Sequence, residues 1–422
     1  MLPPRIIRRL ILAPLVFVIT VAAIVLSPLL ILLALVTAPS RPRRRRTLRL
    51  IWFGLAWLVM ETLALTACLG LWLASGFGGR LRSDAWQERH YGLVRWFLAT
   101  LFRTATRIFH LRVQIEEPPA TPEELAARLT RPVIVLSRHA GPGDSFLLVH
   151  HLLSLYRRRP RIVMKAALQF DPSLDVVINR LPHAFVKPAR RAVARIASAT
   201  GSANPVAEPA TPSAERATPS AERATPGPTA EPPTPSPVIE EIRRLSAGLG
   251  PTGALVIFPE GGNFTPLRWR RGIRRLEESR RFVEAQRAER MKHLLPPRTG
   301  GAFAAIDSAP TADVIFVAHT GLDDLITVGD VWRSLPMEQV IKARWWRVPA
   351  AEVPRDRDAL GPWLYDWWET IDRWIAEHRP QRSNPAAERP IPQPIQAGES
   401  GQESPATEAV EATEAGAGPH IS

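Results

Sequence analysis

The chain has 422 residues, 22% of them charged, and a net charge of +14. That length holds one large domain or two small ones with extra segments, and the excess of arginine points to an anionic partner: nucleic acid, lipid headgroups or a phosphorylated substrate. The single cysteine, Cys68, excludes a disulfide within the chain and a thiolate zinc site, and no metal is expected.

Residues 10–38 carry no charge, and residues 50–78 carry only Glu61. Each run exceeds the roughly 20 apolar residues that cross a bilayer, so membrane attachment is expected. A cleaved signal peptide is the alternative for the first run, but that run is too long for an h-region and no clear cleavage site ends it. Arg5, Arg8 and Arg9 precede the first run; Arg41, Arg43, Arg44, Arg45, Arg46 and Arg49 separate the two; Arg80 and Arg82 follow. A simple two-span hairpin puts one cluster on the wrong side of the membrane. Two arrangements avoid this. One is a re-entrant or monotopic hairpin in one leaflet, with Pro14 and Pro28 breaking the first helix. The other has a first segment that spans and a second that lies within one leaflet.

Residues 84–113 set Trp86, Leu93, Trp96, Phe97, Leu101 and Ile108 on one helical stripe, which suits equally a membrane surface or packing on a domain. From about residue 130, signals alternate. RPVIVLS (131–137) reads as a strand and DSFLLVHHLLSLY (144–156) as a helix; RIVMKAAL (161–168) is strand-like or a strand running into a helix. RRAVARIA (190–197) and PVIEEIRRLSAGL (237–249) read as helices, GALVIFPE (253–260) as a strand, 271–295 as one long charged helix, and ADVIFVAHT (312–320) as a strand. The alternation predicts an α/β domain with a largely parallel sheet flanked by helices. TPSAERA occurs twice in tandem at 211–224 amid dense proline, so 201–237 is read as a disordered insertion. The expected organisation is a membrane-anchoring part at 1–83, a domain at 84–380 and a disordered tail at 381–422. Late in the domain, Trp363, Trp367, Ile371 and Trp374 share a helix face, fit for interior packing or for a lipid interface.

Two stretches are candidates for chemistry. In VIVLSRHAGPGDSF, His139 follows a strand and Asp144 opens the next helix across Gly141-Pro142-Gly143. A carboxylate folded back onto one ring nitrogen fixes the tautomer and frees the other nitrogen to take a proton. The plain alternative is a loop histidine and a helix-capping aspartate. In ALVIFPEGGNFTP, a strand ends in Phe258-Pro259-Glu260-Gly261-Gly262, which exposes backbone N–H groups at the sheet edge, where α/β folds build sites. The plain alternative is a turn with a solvated glutamate. His150 and His151 are adjacent on an apolar helix, without carboxylates at ligand spacing.

Taken together, His-x4-Asp and a later Phe-Pro-Glu-Gly resemble the 1-acyl-glycerol-3-phosphate O-acyltransferase family over roughly residues 84–350. The resemblance implies a glycerolipid acyltransferase-like α/β fold preceded by a membrane helical hairpin. It implies transfer of a fatty acyl group from acyl-CoA, or acyl carrier protein, to a lysophospholipid hydroxyl such as that of 1-acyl-glycerol-3-phosphate. His139 is then the general base and Asp144 orients it, while Phe258, Pro259, Glu260 and Gly261 line the acceptor site. PPRTGGAF (296–303) resembles a Pro-Arg-Thr-x-Gly segment of the superfamily, in which Arg298 pairs with a phosphate. No cofactor is implied beyond the thioester co-substrate. The implied partners are acyl-CoA, lysophospholipid and the bilayer, not nucleic acid, and the implied location is the membrane with the domain on its cytoplasmic face. Direct attack on the thioester needs no covalent enzyme intermediate, in keeping with the lack of a Gly-x-Ser-x-Gly elbow.

Three departures bear on the acceptor. Gly262-Asn263 stands where the family commonly has Thr-Arg. The second motif, usually Phe-x-x-Arg, reads Phe185-Val186-Lys187-Pro188, so that Lys187, Arg190 or Arg191 must replace an arginine fork, Lys187 with only a point charge. Val317-Ala318-His319 replaces the usual Val-Pro-Val or Ile-Pro-Val. Another acceptor, such as a glycolipid, is therefore an alternative, as is a catalytically silent lipid-binding protein. The basic stretch 267–292 fits anionic lipid, the CoA phosphates or a solvated face. Nucleic-acid binding lacks any recognisable motif.

Overall fold

The computed structural model describes residues 3–186 and 236–380, apart from 39, 124, 125, 127–129, 324, 326, 338 and 339. Lys187, Arg190, Arg191, the helix expected at 190–197, nearly all of the 201–237 insertion and the 381–422 tail lie outside the described residues.

Three long helices come first: α1 (Arg5–Thr37), α2 (Arg41–Ala74) and α3 (Asp84–Phe109). Then follow β1 (Arg112–Glu116), β2 (Val133–Ser137), α4 (Pro142–Ser154), β3 (Arg159–Lys165), a short turn of 3-10 helix at Ala166–Phe170, α5 (Pro172–Ile178) and β4 (Ala184–Val186). After the insertion come α6 (Pro237–Ala247), β5 (Gly253–Ile257), α7 (Pro266–Glu278), α8 (Phe282–Arg290), α9 (Thr299–Ser308), β6 (Asp313–Thr320), α10 (Val328–Ser334), β7 (Val340–Val348) and α11 (Arg357–His378).

The strands form one seven-stranded sheet in the order β1-β7-β6-β2-β5-β3-β4. Every neighbouring pair is parallel except β6 with β7. The central strands VIVLS and GALVI are apolar without a break and buried throughout, as parallel strands covered on both faces must be. Their side chains alternate between two cores. Ile134, Leu136, Leu255 and Ile257 face the core under α6 to α9 and α11, whereas Val133, Val135, Ala254 and Val256 meet α4. Beyond α4 a third core, built on Leu153, Tyr91, Leu98 and Leu65, packs α3 and the apolar helices onto α4 and α5.

Three expectations change and one pair of alternatives is decided. First, the helix expected over 84–113 ends at Phe109, where His110 turns left-handed (φ 60°) and Arg112 starts β1. Trp96, placed on its apolar stripe, is 40% exposed, and Tyr91 and Leu98 are buried instead. Second, the charged helix expected at 271–295 is two helices folded against each other, with Arg280 left-handed (φ 57°) between them. Only the fold-back lets Ile273 and Leu276 of α7 and Ala285 and Ala288 of α8 enter the same core. Third, α1 runs unbroken through Pro14 and Pro28. Pro28 cannot donate to the Ile24 carbonyl, and the Ser27 hydroxyl donates there instead at 2.7 Å. Fourth, the tryptophans of α11 pack inward: Trp368 is fully buried, and Trp363 and Trp367 lie 5.3 and 4.7 Å from the Phe316 ring.

Helices α1 and α2 are each long and apolar enough to cross a membrane. They pack antiparallel, with Thr20 Oγ1 and Thr62 Oγ1 2.9 Å apart. Along its length α2 is pinned to the domain. Arg46 Nε donates to the Leu335 carbonyl (2.7 Å), Ser173 N–H and Oγ donate to Glu61 (3.0 and 2.8 Å), and Arg180 Nη1 donates to the Cys68 carbonyl (2.8 Å). Arg8 and Arg9, at the start of α1, both pair with the buried Asp175 of α5 at 2.5 and 2.8 Å.

Candidate active site

Strands β2, β5 and β6 run parallel and adjacent, so their C-terminal ends meet at one edge of the sheet. His139 emerges two residues beyond β2, Glu260 three beyond β5, and His319 lies near the end of β6. Sites in open α/β sheets form at this edge.

The structure brings His139 and Asp144 together: Nδ1 of His139 lies 3.1 Å from both carboxylate oxygens. Gly141 occupies the N-cap of α4 and Asp144 sits inside its first turn. The carboxylate turns back to accept the Ala140 N–H at 2.6 Å and the Gly141 N–H at 3.1 Å. Capping and orientation, alternatives in the sequence, are thus one arrangement. Asp144 is only 3% exposed. Burial opposes its charge, but the hydrogen bond from His139, the His319 and His139 imidazoles and the Gly141 N–H outweigh burial and hold its carboxyl below the ordinary aspartate range. As an acceptor only, Asp144 assigns the proton to His139 Nδ1 and leaves Nε2 as the basic atom. The Phe258 ring covers one face of this imidazole, 4.7 Å between centroids.

Glu260 is neither solvated nor turned outward. It is 3% exposed; Oε1 accepts the His139 N–H at 2.7 Å and Oε2 accepts the Leu295 N–H at 3.0 Å. Burial pushes its carboxyl up to about 7, against the opposing pull of Arg138 and the two N–H donors. The expected acceptor-lining glutamate is therefore a brace between two loops, with both oxygens occupied. Pro259 is buried, and its carbonyl accepts the Arg298 N–H at 2.9 Å.

Gly261 takes a left-handed φ of 68°, and a Cβ placed there would meet the Arg298 guanidinium at 2.8 Å. A Cβ on Gly262 would meet Arg268 Nη1 at 3.0 Å. Two exposed guanidiniums thus lie against the di-glycine. Neither Arg298 nor Arg268 is salt-bridged to a carboxylate among the described residues; the Arg268 guanidinium donates to the Asn263 carbonyl, at 3.1 Å. Arg298 was legible in sequence and Arg268 was not. Its signal was faint: Thr265 caps α7, which sets Arg268 in the first turn beside the loop. Phe185 lies in β4, paired with Met164. His150 and His151 pack against Phe102 of α3, at 4.7 and 5.9 Å between rings.

Behind His139 lies a buried layer that motif spacing did not reveal. Arg138, 1% exposed, donates to the His319 carbonyl (2.5 Å) and pairs with Asp323 (2.6 Å). Asp323 also accepts from Thr320 Oγ1 (2.9 Å) and the Gly321 N–H (3.0 Å). Burial opposes its charge, yet the Arg138 guanidinium keeps its carboxyl well below the usual range.

Among the described residues, a base with one unpartnered ring nitrogen, an anionic orienting group and two guanidiniums without a carboxylate partner on a glycine turn form a set able to deprotonate a hydroxyl on an anionic molecule. No family model matches the chain, and no curated protein or solved structure matches it either.

Proposed function

We propose that the protein is a membrane-associated O-acyltransferase of the 1-acyl-glycerol-3-phosphate acyltransferase type, with the glycerolipid acyltransferase-like fold. The observation that carries this reading is the pairing of His139 with Asp144 on the same sheet edge as Arg268 and Arg298. The acceptor's phosphate sits on the two guanidiniums, and its hydroxyl meets His139 Nε2. As the hydroxyl oxygen attacks the thioester carbonyl of acyl-CoA or acyl carrier protein, Nε2 takes its proton, and Asp144 stabilises the resulting imidazolium. Collapse of the tetrahedral intermediate breaks the C–S bond, and the imidazolium returns the proton to the leaving thiolate. Two guanidiniums in place of the absent motif arginine favour a phosphate-bearing acceptor over a neutral glycolipid.

In this reading the apolar helices lie in one leaflet. The pins at Arg46, Glu61 and Cys68 cover about 33 Å of helix axis. A helix held to the domain over that length runs along it instead of projecting across a bilayer. Its partner α1 exposes Ile7, Leu10, Phe17, Leu29 and Leu33 for lipid contact. The domain is assigned to the cytoplasmic face.

Labelled acyl-CoA, purified protein in vesicles and a panel of lysolipid acceptors test this function. Turnover with lysophosphatidate supports it. Turnover only with phosphate-free acceptors moves the assignment to another acceptor, and no turnover with any thioester donor rejects it.

A further inference from the structure

His319 stands where the sequence departs from its resemblance, and it does not touch the expected substrate side of His139. Its Nε2 lies 3.3 Å from the Arg138 carbonyl and 3.6 Å from Asp144 Oδ2. The ring is 5% exposed, and among the described residues Nδ1 has no hydrogen-bond partner. A buried imidazole with one unpartnered nitrogen calls for an explanation.

We propose that His319 is a positioning residue, a second imidazole on Asp144 whose Nε2–H dipole shares the carboxylate with His139. The inference rests on the acyl-transfer reading only for its catalytic consequence.

The carboxylate of Asp144 lies between two rings: His139 Nδ1 at 3.1 Å on one side and His319 Nε2 at 3.6 Å on the other. Oxygen atoms surround His319 Nε2, so the proton belongs there and Nδ1 is left with a bare lone pair. Burial, then the charge of Arg138, lowers the His319 imidazole to about 4, so it stays neutral and acts as a dipole, not a second cation. That dipole draws charge from Oδ2. It weakens the hold of Asp144 on a protonated His139. The single Nε2 proton has the Arg138 carbonyl, at 3.3 Å, as its acceptor, and it faces Oδ2 at 3.6 Å as a dipole beside the Ala140 and Gly141 N–H donors. The charged and titratable groups around the pair come from four elements. They are Arg138 after β2, Asp144 on α4, Glu260 after β5, and Asp323 after β6. On β7 the residue opposite His319 is Ala343, flanked by Lys342 and Arg344.

The test reads His139 directly. Diethyl pyrocarbonate modifies neutral imidazole, and peptide mass spectrometry of the full-length protein in detergent gives the rate at His139 across pH. Replacing His319 by Leu removes the dipole, so the midpoint of His139 modification rises by about 0.5 pH units. His319→Gln keeps a donor near Asp144 and restores the wild-type midpoint. In acyl transfer, His319→Leu lowers kcat by up to about threefold at acid pH, at unchanged KM, and the loss disappears well above the midpoint. An unchanged midpoint in folded His319→Leu overturns the proposal, as does an equal shift in His319→Gln. Should the leucine variant not fold, His319→Asn, whose amide is too short to reach Asp144, takes its place with the same expected rise. Because the modification needs no substrate, absence of acyl transfer in the wild type rejects the enzymatic reading and leaves the midpoint to decide the role of His319.

Discussion

The carboxylate of Glu260 accepts the backbone N–H of His139 at 2.7 Å, across 121 positions of sequence. A glutamate that a motif places at the acceptor is thereby tied to the main chain of the base. Truncation strands two buried N–H groups, of His139 and Leu295. Glu260→Ala is expected to cost about 2–4 kcal/mol of stability and to lower kcat more than it raises the acceptor KM. A rise in acceptor KM alone, with an unchanged denaturation midpoint, would return Glu260 to the substrate.

The same carboxyl gives stability a pH dependence. Its folded value is raised from 4.5 to about 7, so between those limits the folded state holds a proton that the unfolded state releases. This contribution is fully present below 4.5 and is lost as pH rises through about 7. Thermal melts should show Tm falling across this window in the wild type, and less so in Glu260→Gln, which cannot ionise.

His139→Ala should abolish acyl-CoA consumption with a lysophospholipid acceptor. Asp144→Asn keeps the shape but loses the anion that fixes the tautomer, and kcat should fall by about 10²–10⁴. Initial rates with labelled acyl-CoA check both, and full activity of His139→Ala would sink the mechanism.

Arg268→Ala and Arg298→Ala should each raise KM for lysophosphatidate by about ten- to a hundredfold, the weight of a hydrogen bond to a charged group. With a phosphate-free lysolipid neither variant should change KM. Equal losses on both acceptors would mean that the arginines hold the loop instead of the phosphate.

The one-leaflet hairpin predicts that both ends of α1 face the same compartment. With Cys68 replaced by alanine, single cysteines at Arg5 and at Ser40 should react with an impermeant maleimide from the same side of sealed vesicles. Labelling from opposite sides would establish a crossing helix.

Local pattern carried much of this architecture. The apolar runs at 133–137 and 253–257 announced buried parallel strands, and the length of two apolar stretches, the second broken only by Glu61, announced apolar helices. His139 and Asp144 were legible because only a short turn separates them, so a few backbone dihedrals bring them together. Tertiary structure decided whatever depends on strand register and on backbone conformation between elements. It turned Glu260 inward, set Arg268 over Gly262, folded 271–295 back at Arg280 and placed His319 beside Asp144. The Glu260 and His319 contacts join residues far apart in the chain, so no spacing within one segment encodes them, while the other two rest on the backbone conformation of a turn. Sequence alone brought His139, Asp144 and Glu260 to the ends of their strands. Packing decided which of them still have a free atom for a substrate, because burial obliges each polar atom to find a partner and only the folded chain shows where one was found.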